Sequence, residues 1–268
     1  MSLLEVAGLT VTAGGRRLVD DVSFTVTAGE RVGVIGESGS GKSVTSLAVT
    51  GLLGGGLETS GSVLLDGTQV IGAPDRMLRP LRGPVASLLF QEPLTALDPL
   101  MRVERQIAEP IRRHLGLRGA ALQQAVLGAL NDVSLPDPRI ARAFPHELSG
   151  GQRQRVATAI ALAASPKLLI ADEPTTALDV TVQDEILTLL ERLVAERDMA
   201  LLFISHDLAV VARMTERVVV MRRGEAVEQG PITEILGDPQ HPYTQGLVAS
   251  ARALDSALDA PATPGVVR

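Results

Sequence analysis

Apolar and polar residues alternate in short runs over residues 3–35, and glycine and aspartate separate the runs. A period of two is typical of half-buried strands. Residues 23–27 and 31–35 form two such runs, and residues 62–65 form another. The N-terminal quarter therefore predicts a small sheet that leads into a core strand.

The pattern changes to a helical one in the middle of the chain. Residues 84–90 predict a strand, and residues 94–163 are mostly helical in pattern, most clearly at 120–130 and 152–163. Such a long helical stretch after a core strand indicates an inserted helical subdomain.

Beyond residue 163 strands and helices alternate. Apolar runs at 168–171 and 201–205 bracket a helix at 180–196, whose Val182, Ile186, Leu189 and Leu193 follow three-to-four spacing. This βαβ pattern favours a parallel sheet. Runs at 218–221 and 225–228 predict a hairpin, and the Ala-, Asp- and Pro-rich end from about Ala253 predicts a frayed tail.

Charge and composition exclude several functions. The net charge of -6 offers no global positive field for nucleic acid, and one Tyr with no Trp leaves few rings for stacking bases. The absence of Cys excludes disulfides and fits a reducing compartment. No signal peptide is recognisable, and the most apolar stretch, 156–171, is interrupted at 165–167, so we expect a cytoplasmic chain that does not cross a bilayer alone.

A glycine-rich loop follows the predicted strand 31–35 and fits the pattern G-x-x-x-x-G-K-[ST]. Its residues are Gly36, Glu37, Ser38, Gly39, Ser40, Gly41, Lys42 and Ser43. Backbone N–H groups of such a loop wrap phosphate oxygens, and the next helix points its positive end at them. Lys42 would reach the β- and γ-phosphates of a nucleotide, and the Ser43 hydroxyl would ligate Mg²⁺.

Two carboxylates follow the apolar strand at 168–171. Parallel strands bind ligands at their carboxyl ends, so Asp172 and Glu173 would lie at the ligand edge of the sheet. Asp172 would hold Mg²⁺ directly or through water, and Glu173 would deprotonate the attacking water as a general base. A strand that ends in solvated acids is the structural alternative for this segment alone.

The segment Leu148-Ser149-Gly150-Gly151-Gln152 resembles the signature of ABC ATPases. The resemblance implies an α/β fold: a P-loop NTPase (RecA-like) core, a small antiparallel β subdomain and an inserted α-helical subdomain. It also implies a head-to-tail dimer in which ATP lies between one subunit's phosphate loop and the Ser149, Gly150 and Gly151 segment of the other. The second ATPase subunit would be an identical chain or a related paralogue.

Other landmarks of the family occur in order. Gln91 resembles the Q-loop residue that senses Mg²⁺ and the γ-phosphate, Asp179 the D-loop residue that contacts the opposite subunit, and His206 the switch histidine. The resemblance thus implies catalytic roles for Glu173, His206, Gln91 and Lys42, and a Mg²⁺ site of Ser43, Gln91 and Asp172.

Two segments resemble a narrower group, the oligopeptide, dipeptide and nickel importers: residues 90–99 and His241-Pro242-Tyr243-Thr244. The ATPase domain would span 1–250 and include a helical subdomain at about 94–163. The C-terminal tail typical of this group would span 231–268. The chain departs from the family in two ways. It has no Cys for the iron-sulfur cluster of many longer members, and Ala13 stands where an aromatic usually stacks on adenine, a role that Arg16 or Arg17 could take.

The resemblance implies an ATPase at the cytoplasmic face of the inner membrane, which powers peptide or nickel uptake through two separate permeases and depends indirectly on an extracellular binding protein. Residues 91–100, with Leu97 among them, are the expected docking surface for the permeases. An exporter subunit and a soluble ABC ATPase that acts on DNA or ribosomes are the alternatives.

Overall fold

The structure, a computed structural model, describes residues 2–92, 96–176 and 178–258. Two sheets and a group of helices make up this part of the chain. The strands are Ser2–Ala13 (β1), Arg16–Thr27 (β2), Arg31–Ile35 (β3), Leu57–Leu65 (β4), Thr68–Gln69 (β5), Ala86–Leu89 (β6), Leu168–Asp172 (β7), Ala200–Ser205 (β8), Arg217–Arg222 (β9) and Glu225–Pro231 (β10).

The first sheet is antiparallel, with strand order β2-β1-β4-β5. Its two long strands correct the sequence interpretation, which divided this region into short runs. The register between β1 and β2 shifts at several points, and Gly8, with a φ of 59°, lies between the displaced pairs that Val6 and Leu9 form. Such bulges interrupt the alternation of buried and exposed residues without ending the strand.

The second sheet has the order β10-β9-β3-β8-β7-β6 and is parallel except for β10. All residues of β7 and β8 are buried, which is why these strands are continuous apolar runs rather than alternating ones. The sheet brings the carboxyl ends of β3, β7 and β8 to one edge, as the βαβ pattern predicts.

Helices cover this sheet and form the insertion between β6 and β7. They are Lys42–Val49 (α1), Asp75–Leu78 (α2), Val103–Pro110 (α3), Gly119–Asp132 (α4), Pro138–Arg142 (α5), Gly150–Leu162 (α6), Val180–Glu196 (α7), Leu208–Met214 (α8), Ile232–Gly237 (α9) and Pro242–Leu258 (α10). A π-helical turn, Ile111–Leu115, continues α3 directly after Pro110, whose missing N–H breaks the regular bonding pattern. A 3₁₀ turn, Pro145–Glu147, precedes the signature.

These elements confirm the expected fold class. The helix predicted at 180–196 has those bounds. The sequence pattern also predicts a helix over 43–53 after the glycine-rich loop, but that helix spans Lys42–Val49 because the chain turns at Gly51, which has a φ of 64°. α10 remains helical to Leu258, past the start of the expected fraying at Ala253, and the last ten residues lie outside the described part. None of the described helices combines the length and apolar character that a membrane span needs.

Candidate functional site

The glycine-rich loop joins the end of β3 to the start of α1, as predicted. A Cβ on Gly36 would lie 2.2 Å from the carbonyl oxygen of Met221, and one on Gly41 would lie 2.6 Å from that of Leu18. Gly41 also has a φ of 100°. Glycine is therefore required at both positions, and the loop curls tightly because these two residues have no side chain.

The loop lines a cavity of about 720 Å³. Among the predicted phosphate-binding residues, the ones that line it are Gly36, Glu37, Ser38, Gly39, Gly41, Lys42 and Ser43. Ser40 is buried on another side of the loop, where its carbonyl oxygen accepts a hydrogen bond from the Gly224 N–H. The structure thus brings all of this motif except Ser40 to one cavity.

Lys42 is buried beneath the cavity. Its Nζ donates to the carbonyl oxygens of Gly36, at 2.8 Å, and Glu37, at 3.0 Å. Burial lowers the pKa of Lys42, and the nearby charges of Glu173 and Asp172 oppose that shift. The ammonium group is thus held against the loop, where a phosphate oxygen can reach it.

Asp172 is the last residue of β7 and is buried. Its Oδ1 accepts a hydrogen bond from Ser43 Oγ at 3.1 Å, and its Oδ2 accepts one from Ser46 Oγ at 3.0 Å. Burial raises the pKa of Asp172, while the hydrogen bonds from Ser46 and Ser43 act in the opposite direction. A buried carboxylate next to a serine hydroxyl is the donor set that favours Mg²⁺.

Glu173 is the residue at which the candidate catalytic groups meet. Its carboxylate, with the side chain 12% exposed, has Oε1 3.7 Å from Lys42 Nζ. Oε2 accepts a hydrogen bond from Gln91 Nε2 at 3.3 Å and lies 3.2 Å from His206 Nδ1. Since a carboxylate only accepts, the His206 tautomer that fits this contact carries its proton on Nδ1.

The backbone of Glu173 has a φ of 47°, an uncommon value for a residue with a side chain. Its N–H donates to the Ile204 carbonyl oxygen at 2.9 Å, so β8 fixes this turn of the chain. Sequence reasoning missed Thr176, whose Oγ1 donates to Glu173 Oε2 at 2.9 Å and which also lines the cavity. The hydroxyl residues of the turn after the strand were the available signal.

The signature lies at the start of α6. Ser149 Oγ accepts from Gln152 N at 3.2 Å, and Gln152 Oε1 accepts from Ser149 N at 3.0 Å. This reciprocal pair caps the helix, and Gly150, its first residue, is exposed.

Ser149, Gly150, Gly151 and Asp179 line a second cavity, of about 330 Å³. Asp179 caps α7 there, accepting from Val182 N at 2.9 Å. No residue that lines this cavity also lines the phosphate-loop cavity. Within one chain, the predicted nucleotide-binding residues therefore form two separate groups.

The residues predicted to hold Mg²⁺ lie at and next to the first cavity: Ser43 and Gln91 line it, and Asp172, which does not line it, accepts a hydrogen bond from Ser43 Oγ. The described residues contain no cluster of three or more His, Cys, Asp or Glu side chains that could hold a metal ion by themselves. Ser43, Gln91 and Asp172 offer one hydroxyl, one amide and one carboxylate, which suits Mg²⁺ because this ion takes its remaining oxygen ligands from water and phosphate.

Comparisons with known proteins identify the family of the chain. Residues 19–176 match the family model described as ABC transporter, and residues 227–267 match the model described as oligopeptide/dipeptide transporter, C-terminal region. A structure of the ATP-binding cassette MJ0796, dimeric, post-hydrolysis and bound to ADP and Pi, has a TM-score of 0.75 and 28% identity, and the match covers 85% of this chain and 98% of that one.

Two curated relatives are similar over nearly the whole chain. The peptidoglycan transport ATP-binding protein YejF of Agrobacterium fabrum is 48% identical over 255 residues, which are 92% of this chain and 47% of that protein. The oligopeptide transport ATP-binding protein OppD of Salmonella typhimurium is 45% identical over 259 residues, 95% of this chain and 77% of that protein. The chain thus spans less than half of the Agrobacterium protein. By the family model and by the Salmonella relative, the chain belongs to the ABC transporter family.

Proposed function

We propose that the chain hydrolyses ATP to drive uptake of peptides through separate membrane permeases. One observation carries the proposal of hydrolysis: the Glu173 carboxylate contacts Gln91, His206 and Lys42 at the wall of the phosphate-loop cavity. A carboxylate held by these groups beside a phosphate site is placed to take a proton from an attacking water.

The predicted residues at this cavity have different roles in the reaction. The phosphate-loop residues and Lys42 bind the β- and γ-phosphates. Ser43, Asp172 and Gln91 would hold Mg²⁺, which supplies charge neutralisation on the phosphates. Glu173 accepts the proton of the attacking water, and His206 and Thr176 hold its carboxylate in position.

Glu173→Gln tests this proposal. The amide preserves the side chain's shape but has no basic oxygen, so ATP binding should persist while hydrolysis falls by about 10²-fold or more. Glu5→Gln is the matched control, because Glu5 is an exposed carboxylate on β1 that does not line the cavity. Single-turnover hydrolysis at the wild-type rate in Glu173→Gln would exclude Glu173 as the general base.

We infer that two ATPase subunits act together. The signature residues and Asp179 lie outside the phosphate-loop cavity of their own chain, and the start of α6 offers unpaired helix N–H groups to an anion. Val180, next to Asp179, is 83% exposed. A head-to-tail pair would cover this apolar side chain and close each signature over the partner's nucleotide.

Peptide uptake is supported by the C-terminal region at 227–267 and by the printed name of the Salmonella relative. The permeases would dock at the groove of about 420 Å³ between β6 and the helical insertion, which Phe90, Ala96 and Ile160 line. Leu100, 88% exposed, and Met101 offer further apolar surface nearby. The ATPase would then lie at the cytoplasmic face of the membrane.

Co-purification tests this assignment. We expect the tagged chain to isolate two membrane permeases, with ATPase activity that an extracellular peptide-binding protein stimulates. Isolation of an export permease would support the exporter alternative instead, and isolation with DNA or ribosomes would contradict a role in transport.

A further inference from the structure

The C-terminal helix α10 touches the phosphate loop, although the two segments are about 200 residues apart in the sequence. Glu37, the second residue of the loop, donates its backbone N–H to the hydroxyl oxygen of Tyr243 at 3.0 Å. Leu247, one helical turn further along α10, lines the phosphate-loop cavity. Residues four apart share one face of a helix, so this face of α10 forms part of the wall behind the nucleotide site.

The segment that carries Tyr243 is fixed independently of the loop. Glu228, on β10, accepts hydrogen bonds from the backbone N–H groups of Gln240 at 2.7 Å and His241 at 3.1 Å. His241 Nδ1 in turn accepts the Tyr243 N–H at 3.1 Å, in the first turn of α10. These bonds anchor the start of α10 on β10, at the edge of the second sheet.

The Tyr243 ring is also held. Its residue is 9% exposed, and the Arg222 guanidinium lies over the ring with its carbon 4.9 Å from the ring centroid. Burial raises the pKa of the Tyr243 hydroxyl, which therefore stays protonated at neutral pH. The hydroxyl can thus accept the Glu37 N–H as a neutral group in a fixed place.

This contact holds the N-terminal end of the loop through the Glu37 N–H, while Lys42 Nζ bonds to the Glu37 carbonyl oxygen. The other end of the loop continues into α1, and Ser40 is bonded to Gly224 on the neighbouring hairpin. Without the tyrosine hydroxyl, the partly buried Glu37 N–H would lose the partner described here, and an unpaired amide in such a place is costly. A small shift at Glu37 would be passed to Ser38 and Gly39 at the phosphate cavity.

We propose that Tyr243 is a positioning residue for the ATPase reaction: it fixes the Glu37 end of the phosphate loop and makes nucleotide affinity depend on the C-terminal helix. The proposal rests on the ATP-binding role of the loop. It assigns a function to the His241-Pro242-Tyr243-Thr244 segment inside the nucleotide site itself.

Tyr243→Phe tests the proposal because it removes the hydroxyl and keeps the ring beneath Arg222. We expect the Kd for ATP and the KM to rise about 3- to 10-fold, the range that one lost hydrogen bond gives, with kcat changed less than twofold. Amide hydrogen exchange at Glu37 should become at least about tenfold faster. Ser250→Ala is the control, since it removes an exposed hydroxyl from the same helix.

An unchanged Kd together with unchanged exchange at Glu37 would overturn the proposal. A loss of kcat and of thermal stability without a change in KM would also overturn it, because it would indicate a structural role alone. The exchange measurement needs no hydrolysis. If the wild-type chain bound ATP but did not hydrolyse it, the proposed function would fail, while Kd and Glu37 exchange would still decide the role of Tyr243.

Leu247→Ala offers a second variant on the same face of α10 and should raise the Kd without changing Glu37 exchange.

Discussion

Arg16 and Arg17 are neighbours in the sequence but have different surroundings. Arg16 lines the phosphate-loop cavity, whereas the Arg17 guanidinium is paired with Asp20 at 2.8 Å. Ala13 is not among the residues that line the cavity, although it lies opposite Arg16 in the strand register. Of the two arginines considered for the base, Arg16 is the one that can reach it.

Arg16→Ala should therefore weaken ATP binding about 2- to 10-fold, as expected for the loss of a cation–π contact to the base. Arg17→Ala is the control and should change the Kd less than twofold. Titration calorimetry with ATP and with GTP measures the Kd of each variant. Equal affinities in wild type and Arg16→Ala would mean that other residues, in this chain or in the partner, hold the adenine.

The sequence motifs predicted the residues around Glu173 because each motif follows a strand of the second sheet. The carboxyl ends of these strands lie at one edge of the sheet, and the βαβ pattern predicts that edge. Thr176 could have been found in the turn that follows Glu173. Tyr243 and Leu247 could not, since their contacts depend on how α10 packs against a loop that is distant in sequence. The roles that we assign to the site residues remain predictions.

The segment after β6 was expected to present Leu97 to the permeases, and the structure corrects this expectation. Leu97 is 2% exposed and packs in the core with Val103 and Ile107, whereas Leu100 is 88% exposed. Leu97→Asp would bury a charge and should lower the free energy of unfolding by about 3 kcal/mol or more. Pro93, Leu94 and Thr95 of the same expected surface lie outside the described residues.

Leu100→Asp is the variant that separates docking from folding. Because the Leu100 side chain is in solvent, the free energy of unfolding, measured in urea, should change by less than about 0.5 kcal/mol. Transport-coupled ATPase activity with the permeases should fall, while the activity of the isolated subunit should not. Wild-type coupling of ATPase activity to transport in Leu100→Asp would indicate that the permeases dock at another surface.

Glu30 links the two sheets near the start of β3. Desolvation acts to raise the pKa of Glu30, but hydrogen bonds from Arg217, at 2.8 Å, and from the Thr27 N–H, at 2.7 Å, outweigh it and leave the pKa below its ordinary value of 4.5. A carboxyl group whose pKa is lower in the folded state stabilises the fold when the pH is above the pKa of the unfolded state. This contribution is lost as the pH falls through the pKa of the folded state.

Glu30→Gln should thus destabilise the protein by about 1 to 2 kcal/mol at about pH 7, and the difference from wild type should shrink below about pH 4. Urea unfolding at both pH values measures this. Glu196→Gln, which alters an exposed ion pair with Arg192 on α7, should change stability little at either pH. A pH-independent difference in Glu30→Gln would exclude the ionised carboxylate as the cause.

Hydrophobic periodicity predicted the bounds of elements whose sequence keeps one repeat throughout. It gave wrong bounds for elements in which the repeat is interrupted. α7 was predicted at its full length because its apolar face repeats without interruption. β1 and β2 were divided because bulges reverse the alternation within each strand. Whether an apolar residue such as Leu97 lies in the core or on the surface depends on tertiary packing, which no local pattern contains.

At the scale of the whole molecule, the two cavities predict complementation between subunits. Ser149→Arg should disable the site that the signature completes, and Lys42→Ala the site of its own phosphate loop. Each variant alone should have less than about 1% of wild-type ATPase activity. A mixed dimer keeps one site with an intact loop and an intact signature, so mixing should restore activity. No recovery in verified mixed dimers would contradict the head-to-tail arrangement.

Tyr243 also gives the protein an optical property. The chain has no tryptophan and a single tyrosine, and that ring lies between Arg222 and the phosphate loop. The tyrosine fluorescence of the unlabelled chain therefore comes from one place, next to the phosphate loop. Emission that changes when ATP is added would follow the movement of this loop in real time, in the wild-type chain and without any dye.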